Sequence, residues 1–442
     1  MSKNKVLIIT HDLVADQMAG PAIRCWEFAH QLAEVCEVTL TSKLPVSRQH
    51  PAFQVVSFDR DFQKLVNQAA QADILIVQGF MLQDCPQLAQ LGKYVVVDLY
   101  DPFIFESYPH FEAQGALRDA TYLSFVQTMD EQMQLGDYFI CANERQRDMW
   151  LGRFCALGRL TPELFAHDPS MKRLVGLVPF GLPDKPPVSE RRVLRGVVPG
   201  IGEDDFILLW GGGIWNWFDP LTVIRAVAEI GKERSDIKLY FLGTKHPNPE
   251  IPEMAMTNQA VALANDLGVR DRMVFFNHGW VPYDERQAFL KEASAGISAH
   301  FDSLETRFSF RTRVLDYLWS GMPILTTRGD GMAELVAREG LGEVLDYGDV
   351  AGWKAAILKL ADDRRYTQGL RDRILDVAEA FKWNNAIQPV KEYCMAPYHT
   401  PAGLKATEAV APSSLVDKGI HVLRNEGIGP FLRKSFRVLT RS

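Results

Sequence analysis

The chain predicts an α/β fold: two successive open domains, each a doubly wound parallel sheet, followed by a C-terminal helical extension. Three observations point there. Apolar runs of strand length alternate with amphipathic helical stretches from residue 5 to about 380, each run turns polar at its C-terminal end, and a proline- and glycine-rich stretch, 178–205, separates two such series. Alternation of this kind puts helices on both faces of a parallel sheet, and a break of this composition marks a linker. At 442 residues the chain is also too long for one ordinary core, so two domains of roughly 200 residues are the default.

In order, KVLIIT (5–10) is a buried-strand run, MAGPAIRCWEFAHQLAE (18–34) carries Ile23, Trp26, Phe28, Ala29 and Leu32 at helical spacing, and VTLTS (38–42) is the next strand. ADILIVQG (72–79), YVVVDLYD (94–101) and DYFICAN (137–143) repeat the design. Ligands of open α/β sheets bind beyond such strand ends, which makes His11, Gly20, Gln78, Asp98, Tyr100, Asp101, Asn143 and Glu144 candidates for one cleft wall. The second series runs through FILLWGGG (206–213), a helix over 220–231, IKLYFLG (237–243), a helix over 255–267, MVFFNHG (273–279), a helix over 284–293 and AGISAH (295–300). A helix over 309–320, a strand over 323–327 and a long helix over 350–380 complete it. These elements give domains at 1–180 and 205–383, a linker at 181–204, a closing helix at 384–400 and a tail at 401–442.

A net charge of −7 argues against bulk electrostatic binding to nucleic acid. Six cysteines without a CxxC pair predict reduced thiols and no zinc site, and the start MSKNKVLIITHD lacks a signal peptide's apolar core, so a cytoplasmic location is expected. No apolar run approaches the ~20 residues that span a bilayer. In the tail, 418–442 holds six Lys/Arg against one Glu, with Val422, Leu423, Ile428, Phe431, Leu432, Phe436 and Leu439 able to share a face. A basic amphipathic end of this kind suits peripheral contact with an anionic membrane face; the other reading is a helix packed on the protein's own core.

The chemistry-bearing residues cluster in the second domain. In LLWGGGIWNWFDPLTVIRAV (208–227), Asp219 and Pro220 form a helix start, while Gly211, Gly212 and Gly213 allow close backbone approach to a phosphate. The loop is neither GxGxxG nor GxxxxGK[ST], which excludes a dinucleotide fingerprint and a P-loop. Trp215, Trp217 and Phe218 in that loop suit stacking on a sugar or base, or a plug between domains. Lys245 follows one strand end as a phosphate ligand or a solvated loop lysine, and Trp280 follows the next as a base platform or a core-packing side chain. In FDSLETRFSFRTRVLDYLWSGMPILTT (301–327), Arg307, Arg311 and Arg313 gather at a helix entrance, where dipole and free amides favour an anion. Asp316 lies about 700° of helical rotation from Ser309, on nearly the same face, and a carboxylate there can accept from the paired hydroxyls of a ribose. No GxSxG, HExxH or metal-ligand spacing occurs.

Over about 1–400 the chain resembles the retaining GT-B glycosyltransferases of the GT4-type group. DYFICANERQRDMWLG resembles that family's D-x-Ile-x-x-Ser-x-x-x-Arg segment with Asn143 at the serine, LVPFGLPD its V-P-N-G-V-D crossover with Phe180 for Asn, and DYLWSGMPIL its E-A-M-A-x-G-x-P-V motif with Asp316 at the second glutamate of E-x7-E. The first motif glutamate falls on Phe308, with Glu305 three residues early, and the family's phosphate-binding Arg and Lys fall on Gly213 and Phe218. Its usual histidine falls near Tyr100, beside Asp101.

The resemblance implies two Rossmann-like domains facing a cleft and metal-independent transfer of a sugar from a nucleoside diphosphate sugar to a glycan or lipid-linked acceptor, with retention at the anomeric carbon. No cofactor beyond the donor is implied. Donor and phosphate ligands would be Gly211, Gly212, Gly213, Lys245, Trp280, Glu305, Ser309, Arg311, Arg313 and Asp316, with Arg311, Arg313 and Lys245 standing in for the missing cations. Asp101, Tyr100 and Arg311 are the catalytic candidates and His11, Gly20 and Asn143 the acceptor-binding ones. A non-catalytic nucleotide-sugar or glycan-binding scaffold is the alternative that the missing cations suggest.

Overall fold

A computed structural model describes residues 3–401. The apolar runs form thirteen strands: β1 Lys5–Thr10, β2 Glu37–Ser42, β3 Gln54–Ser57, β4 Ile74–Gln78, β5 Tyr94–Asp98, β6 Tyr138–Cys141, β7 Val175–Leu177, β8 Phe206–Trp210, β9 Ile237–Phe241, β10 Val274–Phe276, β11 Ala295–Ser298, β12 Ile324–Thr327 and β13 Gly342–Leu345. They make two wholly parallel sheets, ordered β3-β2-β1-β4-β5-β6-β7 and β10-β9-β8-β11-β12-β13. Each sheet reverses its winding beside its first strand, between β1 and β4 and between β8 and β11. Such a switch point opens a crevice at the strand C-termini, and here the two crevices face each other.

The central strands are buried on both faces, as helix-flanked parallel strands must be. Local signals set several helix starts: Asp61 accepts from the amides of Gln63 and Lys64, and Asp219 accepts from Thr222 N at 3.1 Å ahead of Pro220.

The sequence reading departs from the structure in several places, and it gave no strand at β3, β7 or β13. The expected helix over 309–320 is broken: one short helix spans Leu304–Phe308, Ser309 is extended, and the next helix begins only at Thr312 and ends at Trp319. Ser309 and Asp316 therefore do not share a helical face, although both line the cleft. The expected helix over 350–380 divides at Asp363, whose carboxylate caps the second piece by accepting from Tyr366 N at 2.9 Å. A helical insertion between β5 and β6, ending in Arg118–Leu135, has no counterpart in the sequence reading. The closing segment forms helices Trp383–Ala386 and Gln388–Met395. It returns to the first domain, where Lys391 Nζ bonds Glu34 at 2.7 Å and Asn4 donates to Cys394 O at 2.7 Å. The basic stretch 418–442 lies outside the described residues. No helix among the described residues is long and apolar enough to cross a membrane.

Candidate active site in the interdomain cleft

The facing crevices enclose a cavity of about 510 Å³ lined by both domains. On the second domain's side, β8 delivers Gly211–Gly213. Gly212 sits at φ 71°, a conformation that side chains resist, and turns the loop back under the cleft. Tyr317 fixes the loop's base: the Gly211 amide donates to its hydroxyl at 2.9 Å, and that hydroxyl lies 2.8 Å from Ile297 O on β11. Trp280 lies against the loop so closely that a Cβ at Gly213 or Gly243 would stand 3.0 Å from its ring.

Three arginines reach the cavity from this side, and their electrostatic states differ. Arg311 forms a two-toothed pair with Glu305, 2.7 Å at each contact, and its Nε lies 3.8 Å from Asp330 Oδ2. Burial opposes its charge, but Glu305 and Asp330 more than compensate and raise its pKa. Arg286 bonds Asp316 at 3.1 Å and lies over the rings of Tyr283 and Trp319. Arg313 is different. Its guanidinium is buried over Phe218 at 4.1 Å and Trp210 at 4.8 Å, one nitrogen donates to Gly213 O at 2.9 Å, Nη1 has no partner, and no carboxylate among the described residues pairs with it. Burial pulls its pKa down to about 10, with Tyr317 opposing and Arg311 assisting. It stays charged at neutral pH, a buried cation without a carboxylate partner among the described residues.

The first domain supplies the opposite wall from the ends of β1, β4 and β5: Thr10, His11, Asp12, Gln78, Asp98, Tyr100 and Asp101. Beneath it Arg24 pairs with Asp98 at 2.6 Å and donates to Val178 O at 2.8 Å. Asp101 and Glu106 lie within hydrogen-bonding reach of each other. Burial lifts the Asp101 pKa to about 6, with the Glu106 contact opposing and Glu305 and Asp98 adding to it; burial and then Asp101 push Glu106 well above the usual carboxylate range.

The walls are bridged. Asn248 donates to Asp12 at 2.9 Å, Tyr283 to Glu27 at 2.9 Å, Trp280 Nε1 to Met18 O at 2.9 Å and Gln146 to Phe308 O at 2.9 Å.

Of the residues singled out by sequence, Gly211–Gly213, Trp280, Ser309, Arg311, Arg313, Asp316, Asp101, Tyr100, His11 and Gly20 all line the cavity. Three do not. Lys245 is exposed and off the lining, while its neighbour His246 is on it. Glu305 is consumed as the counter-ion of Arg311. Asn143 caps the helix Glu144–Ala156 by accepting from Gln146 N and turns its amide to Ser309 O at 3.4 Å. Phe308, at the first motif glutamate, stacks on Phe105 with centroids 5.5 Å apart. Sequence reasoning missed Arg286 and Glu106. Their signals, an arginine three residues after Tyr283 and an acid five after Asp101, have no motif to carry them.

The raised Asp101 pKa has a stability consequence. With a folded value of about 6 against an ordinary 3.8, the group favours the folded state below about 4 and loses that contribution as pH rises through 6. The melting-temperature difference between the parent and Asp101→Asn should shift against the parent from pH 4 to 6.5 and level off above. A difference independent of pH there would show that Asp101 titrates normally.

Residues 205–363, the second domain, match the family model described as "Glycosyl transferases group 1". No curated protein sequence matches the chain. Among solved structures it is similar to WaaG, a glycosyltransferase involved in lipopolysaccharide biosynthesis, at 16% identity over 89% of this chain and 100% of that one, TM-score 0.63. It is also similar to sucrose-phosphate synthase from Thermosynechococcus elongatus, at 15% identity over 88% and 98%, TM-score 0.62. Anabaena Alr3699/HepE in complex with UDP-glucose aligns at 14% identity over 88% and 98%, TM-score 0.60. At these identities the likeness carries the fold alone. The protein therefore has the two-domain GT-B fold, and its second domain is similar, over 205–363, to the glycosyl transferases group 1 family.

Proposed function

We propose that the protein transfers a sugar from a nucleoside diphosphate sugar to a hydroxyl of a glycan or lipid-linked acceptor, with retention at the anomeric carbon and without a metal. The observation that carries this reading is Arg313, a buried guanidinium with an unpartnered nitrogen beside the Gly211–Gly213 loop. A diphosphate would accept from the free guanidinium N–H and from the Gly212 and Gly213 amides, the Gly211 amide being taken by Tyr317, and such donors stabilise a departing diphosphate. Arg311, neutralised by Glu305, adds hydrogen bonds rather than net charge. The protein groups that offset the leaving charge are thus Arg313 and the loop amides, with Arg311 positioned by Glu305 and Asp330. The UDP-glucose complex of a protein with this fold supports a nucleotide sugar as the donor.

Asp316 lines the cleft and bonds Arg286; in this reading it accepts from the ribose hydroxyls and shares its oxygens with Arg286. Asp316→Ala should weaken UDP binding about tenfold, the worth of one charge-assisted hydrogen bond, and leave pyrophosphate binding unweakened. Equal losses for both ligands in calorimetry would remove the ribose assignment. The transfer reading itself is tested by melting-temperature shifts with UDP, GDP and dTDP followed by a transfer screen with the matching sugar donors. No shift with any of the three would reject it.

A further inference from the structure

On the outer side of the first domain, the helix Arg118–Leu135 turns an apolar and acidic face away from the core. A groove of about 530 Å³ runs along it from Leu123 to Leu135, lined by residues at i, i+3, i+4, i+7, i+8, i+11 and i+12, the spacing of one helical face. Leu123 at one end is 61% exposed and Leu135 at the other 45%, with Val126 half-buried between them. Asp130 and Glu131 occupy the middle. Asp130 is held by Arg153 at 2.7 Å, whereas the Glu131 carboxylate accepts from Gln127 of its own helix at 2.7 Å. The opposite side of the helix, with Met129 and Met133, is already packed in the first domain's core.

Two observations indicate what covers this face. One is the path of the chain. The last described residues are fastened just past the end of the helix: Thr400 Oγ1 donates to Asp137 O at 2.6 Å, Thr400 N to Asp137 Oδ1 at 3.2 Å, and His399 stacks on Tyr94 with centroids 4.3 Å apart. Asp137 is two residues beyond Leu135, so the chain continuing from Pro401 sets out beside that end of the groove. Residues 402–429 can span about 3.3 Å each, several times the roughly 27 Å length of the helix. The other observation is charge. Residues 103–135 hold five acids against one arginine, while 418–442 holds six Lys/Arg against one Glu. Within that stretch, which lies outside the described residues, PFLRKSFRVLTR (430–441) has Leu432, Phe436 and Leu439 at i, i+4 and i+7 and carries Arg433, Lys434, Arg437 and Arg441 without an acid. Its leading Pro430 suits the first position of a helix.

We propose that residues 430–441 dock as an amphipathic helix in the groove of the Arg118–Leu135 helix of the same chain. Leu432, Phe436 and Leu439 cover Leu123, Val126 and Leu135, and the basic side chains meet Glu131. Twelve helical residues measure about 18 Å, the length of the stripe from Leu123 to Leu135. The covalent tether makes the contact intramolecular, so a modest intrinsic affinity populates it. An anionic membrane fits this groove poorly, because helices that lie on such membranes are rimmed with Lys and Arg, and this one is rimmed with acids. Docking also withdraws the tail's own cations from lipid.

The test is hydrogen exchange of the tail, read by mass spectrometry on peptic fragments covering 430–441 of the full chain at several protein concentrations. Exchange there should be slower in the parent than in Leu123→Lys or Glu131→Lys, by about tenfold or more. Both positions are exposed, so both variants should keep a single cooperative melting transition. Adding Arg433→Glu and Lys434→Glu to Glu131→Lys should restore slow exchange, because the charges are complementary again. Equal exchange in the parent and the two single variants would overturn the docking. Protection that rises with protein concentration would place the tail on a second copy of the chain and overturn it too. So would parent binding to phosphatidylserine–phosphatidylcholine vesicles as tight as that of Leu123→Lys, since the tail would then already be free for lipid.

Discussion

Arg313→Met should bind UDP about tenfold to a hundredfold more weakly than the parent while melting at the same temperature or higher without ligand. The first half follows from charge. Among the described residues Arg313 is the cleft arginine without a carboxylate partner, and a hydrogen bond to a charged partner contributes about 1.5–3 kcal/mol, which converts to that range of affinity. The second half follows from burial. The guanidinium lies between Phe218 and Trp210 with one nitrogen unsatisfied, so the folded protein without ligand carries the desolvation cost of a charge it does not neutralise. A flexible apolar side chain fills the same slot on two aromatic faces at little cost, apart from the bond to Gly213 O. Binding sites of this kind trade stability for function. A variant with unchanged UDP affinity would place the diphosphate elsewhere. A large fall in melting temperature would mean that Arg313 holds the glycine loop rather than waiting for a ligand.

Arg313 was legible in sequence as one of three arginines before a helix, but its distinctive state was not. That state depends on Glu305 having been taken by Arg311, a pairing across six residues and a helix interruption at Ser309 that no helical periodicity reports. The same break explains the failed phase argument linking Ser309 to Asp316. Ten of the thirteen strands were legible because parallel strands buried on both faces read as unbroken apolar runs, whereas the three-residue β7 and the half-buried β13 were not. β3, only four residues long and largely half-buried at the sheet's edge, gave no such run. The helix Arg118–Leu135 escaped for a different reason: it leaves Leu123 and Leu135 exposed and buries Thr128, Met129, Gln132 and Met133, so its apolar residues do not form one stripe. Glu106 was invisible because its partner Asp101 lies on the far side of a turn led by Pro102.

The second large effect is expected on the first domain. Asp98→Ala should lower its melting temperature by roughly 6–20 °C, the equivalent of about 3–5 kcal/mol for a domain of this size. Arg24 is fully buried, held by both oxygens of Asp98 at 2.6 and 3.1 Å, by Val178 O at 2.8 Å and Pro179 O at 3.1 Å, and it lies over the rings of Phe28 and Tyr100. It therefore ties the end of β5 to the segment that leaves β7 for the second domain. Removing only the carboxylate strands a guanidinium that no water reaches, and the two carbonyls cannot neutralise it. The double variant Arg24→Met with Asp98→Leu should lose less than Asp98→Ala alone, because it removes the charge together with its partner. Tyr100 N also donates to Asp98 Oδ1 at 3.3 Å, so the loop carrying Asp101 and Glu106 loses an anchor in either variant. The diphosphate ligands all belong to the second domain, and UDP affinity measured below the melting transition should stay within about threefold of the parent's. An undisturbed melting temperature in Asp98→Ala would mean that Arg24 finds another anion when the pair is broken. A loss of UDP binding as large as that of Arg313→Met would mean that the floor of the first domain, and not only the loop of the second, sets the shape of the nucleotide site.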